Sequence, residues 1–213
     1  MIKNLLQKVF KKSSFYSPDY WEKRYASGGN SGDGSYGRLS TFKADILNEF
    51  LKSENINSVI ELGCGDGHQL SIIDYPSYTG LDISPSIIEA CKNKFKTDTA
   101  KAFKVYKPGL LERGELKKAD LALSLDVLYH LVEKDVFINY LKDLFSFSNK
   151  WVIVYSTNYN ENEAEHIVHR KFTDEVAQLF PDWRLEKEIK NKYPGLGEQE
   201  SMADFFLFKK KNS

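Results

Sequence analysis

The run VIELGCGDGHQL sets Glu61, Gly63, Gly65 and Gly67 at alternate positions, and roughly 20 residues after that turn the run YTGLDIS closes its apolar stretch with Asp82. Glycines so spaced let a backbone bend sharply and come close to a ligand. A carboxylate at the end of the following strand can accept the hydrogens of both ribose hydroxyls. The pair suits the holding of a nucleoside; the plainer alternative is a tight turn at Gly63 and Gly65 with Asp82 capping the next helix. A second glycine stretch, GGNSGDGSYGR, spells G-x-G-x-x-G at Gly32, Gly34 and Gly37. It follows SPDYWEKRYAS, which has no strand character, so it lacks the strand that must deliver the chain to a nucleotide loop.

Two further clusters carry groups able to act on a second substrate. LSLDVLYHLVEKDVF contains Asp126, Tyr129 and His130. A histidine titrates near neutrality, so His130 can take a proton from an attacking hydroxyl or amine, or it can pack under the ligand and bond to backbone. Asp126 is suited to shaping the turn. EHIVHRKF contains His166, His169, Arg170 and Lys171, and NKYPG adds Lys192 and Tyr193. As a set they are poor metal ligands and good donors to an anion such as phosphate, unless each is a separate surface residue. No metal is expected.

Elements must bring these residues together. From about residue 40 short apolar runs alternate with helical periodicity, which predicts a parallel sheet with helices on both faces. Strands are expected at Ser58–Leu62, Tyr78–Asp82, Ala102–Tyr106, Asp120–Leu125 and Trp151–Tyr155, and helices at Thr41–Leu51, Gly67–Ile73, Pro85–Phe95, Gly109–Lys117 and Glu133–Phe145. Ser84 before Pro85 is a helix start. After Tyr155 the rhythm changes: FTDEVAQLF suits a short helix, and WRLEKEIKNKY and SMADFFLFKK suit two strands whose link has no room for a crossover helix, so they should pair antiparallel. The 126–130 and 166–171 clusters then follow the carboxyl ends of strands, the edge where open sheets bind ligands.

The E-x-G-x-G-x-G spelling of Glu61 to Gly67, with strand-end Asp82, resembles the class I S-adenosylmethionine-dependent methyltransferases, and the likeness runs over roughly residues 40–210. It implies an α/β, Rossmann-like, seven-stranded and mostly parallel sheet ending in an antiparallel hairpin, S-adenosylmethionine as cofactor and S-adenosylhomocysteine as product. By the resemblance Glu61, Gly63, Cys64, Gly65 and Gly67 line the methionine part, Asp82 holds ribose, Ile83 lies against adenine, and Tyr20 and Asp126 complete the cofactor contacts. Arg38 is chosen to pair with the cofactor's carboxylate, for which a guanidinium offers a matching fork of donors. VYKPGLLERG holds no acid at the adenine position, which leaves backbone around Lys107–Leu111 for that task. The residue 28–38 stretch becomes a cover, in which Tyr16, Tyr20, Trp21, Tyr25 and Tyr36 could exclude water, with Tyr16 and Tyr36 toward the acceptor; the alternative is an ordinary loop with Arg38 solvated. His130, Tyr129 and His169 are the candidate catalytic residues, and His166, Arg170, Lys192 and Tyr193 the candidate acceptor contacts. The wider pattern YWEKRY, GGNSGDGSYGRL, HRKFTD, NKYP and ADFF resembles a bacterial methyltransferase group often found among genes for capsule and O-antigen assembly. That implies a sugar, sugar-nucleotide or phospho-amino-alcohol acceptor, methylated on O or N.

Composition bounds the rest. The 213 residues can bury one core, divided here into an N-terminal helix and lid segment, 1–39, and a globular unit, 40–213. Thirty basic and 30 acidic residues cancel, so no broad positive field offers itself to nucleic acid. LDVLYH also stands where base-amine methylases usually carry N/D-P-P-Y/F/W. Two cysteines form no disulfide framework, which fits a reducing cytoplasm. MIKNLLQKVFKK, residues 1–12, is an amphipathic basic segment that either lies on the protein's own core or docks weakly on a lipid surface. A nicotinamide oxidoreductase is disfavoured by the glycine spacing and the terminal hairpin, and a non-catalytic cofactor-binding scaffold stays open.

Overall fold

The computed structural model describes residues 16–110, 116–164 and 166–211. The expected basic segment 1–12 lies outside them, as does most of the helix expected over 109–117, whose described ends are not helical. In chain order the elements are α1 (Ser17–Ala26), α2 (Gly37–Ser53), β1 (Val59–Leu62), β2 (Tyr78–Asp82), α3 (Pro85–Lys94), β3 (Lys101–Val105), β4 (Ala119–Leu125), α4 (Lys134–Ser146), β5 (Ser148–Ser156), β6 (Glu161–Ala164), β7 (Ile167–His169), α5 (Phe172–Leu179), β8 (Trp183–Ile189) and β9 (Asp204–Lys210).

Seven strands form one sheet in the order β3-β2-β1-β4-β5-β9-β8. The first five run parallel, and β9 is antiparallel to both β5 and β8. Alternate side chains feed two apolar layers, as a strand covered on both faces requires. Val59, Leu121, Leu123 and Ile153 pack with Leu47, Phe50 and Ile88 of α2 and α3 on one face. Ile60, Leu62, Ala122 and Val152 pack with Phe137, Leu141, Leu144 and Phe172 of α4 and α5 on the other. Successive connections turn one way from β1 to β3 and the other way from β1 to β4, so a crevice opens at the carboxyl ends of β1 and β4, where ligands enter such sheets. Among the described residues no helix is long and apolar enough to cross a membrane.

The seven-stranded architecture and the closing hairpin agree with the sequence expectation. Three local readings need correction. The helix expected over Gly67–Ile73 is a single 3-10 turn at Gln69–Ile72, because Gly67 holds a left-handed φ of 66° and Ile73 is already extended. Helix α2 starts at Gly37 rather than Thr41, directly out of the glycine stretch. The polar run after β5 forms a small β6–β7 ribbon that no apolar alternation announces.

Candidate active site

The floor of the crevice is built where β1 ends. Gly63, Gly65 and Gly67 take φ of 83°, 54° and 66°, values that cost a side-chain-bearing residue dearly. A Cβ on Gly63 would meet Val127 Cγ2 at 2.5 Å, and one on Gly65 would collide with Ser31 Oγ. Asp82 pins this turn: its Oδ2 accepts from Gly65 N at 3.0 Å and its Oδ1 from Ser84 N at 3.0 Å. Burial pushes the Asp82 carboxyl up to about 6, against the pull of those backbone donors. Burial likewise pushes Glu61 up to about 7, although Tyr78 Oη donates to it and Lys43 lies near.

Beside Glu61 lies an inner chamber under α2. Lys43, its side chain 1% exposed, pairs with Asp126 Oδ2 at 2.5 Å, and Tyr129 Oη donates to Asp126 Oδ1 at 2.9 Å. Gln69 donates from Nε2 to Ser40 O at 3.0 Å, while its buried Oε1 has no partner. An unsatisfied buried acceptor in a cleft calls for a donor from a ligand or water.

The roof is α1 and the loop after it. Ser17, Pro18, Trp21 and Tyr25 share the helix face turned to the crevice. The roof is tied down at three carboxylates. Glu133 accepts from Ser17 N at 3.0 Å and from Ser17 Oγ. Glu22 accepts from Ser84 Oγ, and from Ser86 Oγ at 2.6 Å. Asp66 Oδ2 accepts from Ser31 N at 2.9 Å and Tyr36 Oη at 2.7 Å, and Asp66 N donates to Ser31 Oγ at 2.9 Å.

Residues 60–146, which carry the glycine turn, Asp82 and the 126–130 segment, match the sequence model of a family described as a methyltransferase domain. By that match the chain carries a methyltransferase domain. Solved structures share the fold of this methyltransferase. The N-methyltransferase NodS from Bradyrhizobium japonicum WM9, in complex with S-adenosyl-L-homocysteine, matches with a TM-score of 0.73 at 12% identity, over 91% of this chain and 98% of that one. Magnesium protoporphyrin IX methyltransferase (ChlM) from Synechocystis PCC 6803, with bound SAM, gives 0.65 at 14% identity, over 93% and 99%. The methyltransferase domain of bacterial CtHen1 gives 0.64 at 22% identity, over 79% and 97%. No curated protein sequence matches.

Within this methyltransferase, Glu61, Gly63, Cys64, Gly65, Asp82, Ile83, Asp126 and His130 all line the crevice. Burial drives His130 down to about 4, so the ring is neutral at ordinary pH. Its Nδ1 lies 3.3 Å from His166 O, and since a carbonyl only accepts, Nδ1 carries the proton and Nε2 is the ring's acceptor. Gly67 faces α3 instead, where a Cβ would meet Phe95 at 2.7 Å. Tyr129 serves Asp126, and His169 is buried against Thr157 Oγ1 at 2.7 Å, between Tyr129 and Tyr159.

Other expected positions do not converge. Arg38 is not at the crevice: Nε donates to Gln199 O at 2.6 Å and the guanidinium lies 4.5 Å over Tyr193, because α2 begins one residue earlier and turns it toward the β8–β9 link. Lys192 and Tyr193 lie with it beside a separate shallow groove. Arg170 is spent on backbone, with both terminal nitrogens donating at 2.6 Å to Leu131 O and Val132 O. Tyr20 stacks on His166, Tyr36 on His68, and Tyr16 is exposed at the start of α1. The phosphate-binding group expected from His166, Arg170, Lys192 and Tyr193 is therefore not assembled. Sequence reasoning missed Lys43, Asp66 and Gln69. Lys43 had a signal, since it falls between Leu39 and Leu47 on the apolar stripe of α2, where a charge must find a buried partner. Among the described residues no group of three or more His, Cys, Asp or Glu could hold a metal ion.

Proposed function

We propose that this protein moves the methyl group of S-adenosylmethionine to a hydroxyl or amino group of a small polar acceptor, a sugar, sugar nucleotide or phospho-amino-alcohol, in the cytoplasmic assembly of a bacterial surface polysaccharide. The observation that carries the donor half is Asp82: a buried carboxylate at the end of β2, bonded to the glycine turn and facing the crevice. The donor set fits the cofactor. Asp82 suits the ribose hydroxyls, while spare donors on Lys43 and the orphan acceptor of Gln69 suit the carboxylate and ammonium of an amino acid. Bound there, S-adenosylmethionine supplies an electrophilic methyl group on a sulfonium.

The chain's own residues do the rest. Trp21, Tyr25 and Pro18 roof the crevice and keep water from it. His130, neutral and with Nε2 as acceptor, takes a hydrogen bond from the attacking hydroxyl or amine and so orients it, while burial makes the ring a weak base. Trp21 and His130, 4.9 Å apart edge to face, and Leu131 form an apolar wall suited to a sugar ring. The polysaccharide setting is supported by the wider sequence pattern, and the cytoplasmic one by the free thiols of Cys64 and Cys91. Calorimetric titration with S-adenosylhomocysteine and with NAD tests the donor, and tighter binding of NAD would reverse the assignment. Labelled S-adenosylmethionine with amino sugars, sugar nucleotides and phosphoethanolamine tests the acceptor, and a panel with no labelled product removes that class.

A further inference from the structure

The roof does not merely lie across the crevice. Each of its central ties ends on a residue that also builds the floor. Asp66 stands inside the glycine turn, between Gly65 and Gly67, and its carboxylate holds Ser31 and Tyr36 of the loop. Ser84 donates its N–H to Asp82 and its hydroxyl to Glu22 of α1. Ser31 Oγ also occupies the space beside Gly65 that any Cβ would need, so loop and turn are in van der Waals contact as well.

We propose that Asp66 and Ser84 couple donor exchange to the roof, so that the ties to Ser31, Tyr36 and Glu22 must break for the donor to enter or leave. This rests on the reading of the crevice as the donor site. Asp66 and Ser84 act as positioning residues in this respect, and the structure sets Glu22 and Tyr36 behind the crevice lining, Tyr36 away from the acceptor side expected for it. Both carboxylates stay ionised at neutral pH: Ser84 and Ser86 hold Glu22 below its ordinary value, and for Asp66 the bonds from Tyr36, Ser31 and His68 outweigh the upward push of burial. The ties therefore persist under working conditions and set a barrier to opening.

A gate has a kinetic signature that a binding contact lacks. Weakening a gate raises association and dissociation rates together, whereas removing a contact raises dissociation alone. Stopped-flow binding of S-adenosylhomocysteine to the full chain, followed by tryptophan fluorescence, is the measurement. For Glu22→Ala both rates should rise about tenfold, and for Tyr36→Phe about threefold, with Kd changed less than about twofold. Tyr36→Phe removes one hydroxyl and keeps the test valid should Glu22→Ala fail to fold. A rise in dissociation alone, or no change in either rate, overturns the coupling. Absence of any binding to the wild-type chain would instead overturn the donor reading on which it stands.

Discussion

Floor and roof of the crevice both depend on carboxylates, and the two sets are tuned in opposite directions. In the floor, burial pushes Asp82 up to about 6 and Glu61 up to about 7. At the ties that join roof to floor, hydrogen bonds hold Glu22 of the roof and Asp66 of the glycine turn below the ordinary range. The difference lies first in burial. Glu22 and Asp66 are only half-buried, and their hydroxyl and backbone donors outweigh the cost of burial, while Asp82 and Glu61 are buried and the donors they have do not offset it. A desolvated acid short of donors is prepared for a ligand that brings them; a satisfied one is holding structure together.

Removing the floor's acid should therefore cost the most. On the proposed reading Asp82→Ala deletes two charge-assisted bonds to the ribose as well as the pin on Gly65, and at about 1.5–3 kcal/mol for each such bond the affinity for S-adenosylhomocysteine should fall at least about 100-fold. Calorimetry checks it, and a loss under tenfold would mean the nucleoside sits elsewhere. Gly65→Ala comes next. The left-handed φ costs about 1–2 kcal/mol on its own, and the new methyl displaces Ser31, so donor affinity should drop about 10- to 30-fold. Faster proteolysis of the 27–36 loop should accompany it.

Titration sharpens the contrast between the two sets. Asp82 must be ionised to accept hydroxyl hydrogens, so donor affinity should rise with pH through about 6 and flatten above it. Between pH 7 and pH 5 the loss should be about tenfold, and Asp82→Ala should abolish it. Stability of the donor-free protein carries the opposite sign for these two acids. Their folded values are raised, so their contribution is complete below the ordinary carboxylate range and is lost as pH rises through about 6 and 7. Glu22 and Asp66, with lowered values, contribute above the ordinary range and lose it as pH falls beneath that range.

What could be read from sequence divides along the same line. Floor residues are close in the chain and announced by local pattern: a strand, a glycine turn, a strand-end acid. Roof ties join residues 35, 62 and 116 positions apart, and a serine or glutamate in a polar helix gives no sign of its distant partner. The fold was legible because alternation of apolar runs reports burial on both faces directly. The gathering of His166, Arg170 and Lys192 was misread because chain position at a strand end does not fix where a long side chain goes. Arg170 bends back to the carbonyls of Leu131 and Val132 instead of entering the crevice.

Arg38 and Lys43 put that lesson to its finest test, since each is a cation near the start of α2. Lys43 is buried, ion-paired to Asp126 and open to the crevice; Arg38 is half-exposed and 3.8 Å from Glu200 in a pair that solvent screens. Lys43→Met should weaken S-adenosylhomocysteine about tenfold and 5′-methylthioadenosine, which lacks the amino acid, far less, because on the proposed reading Lys43 serves the ligand's carboxylate as well as Asp126. Arg38→Ala should change the affinity for either ligand by less than about twofold. An exposed pair contributes about 0–1 kcal/mol, so the melting temperature should fall by only a few degrees. A tenfold loss of S-adenosylhomocysteine binding in Arg38→Ala, with Lys43→Met silent, would show that the guanidinium swings into the crevice when the donor arrives, and the roof would then have to rearrange rather than simply lift.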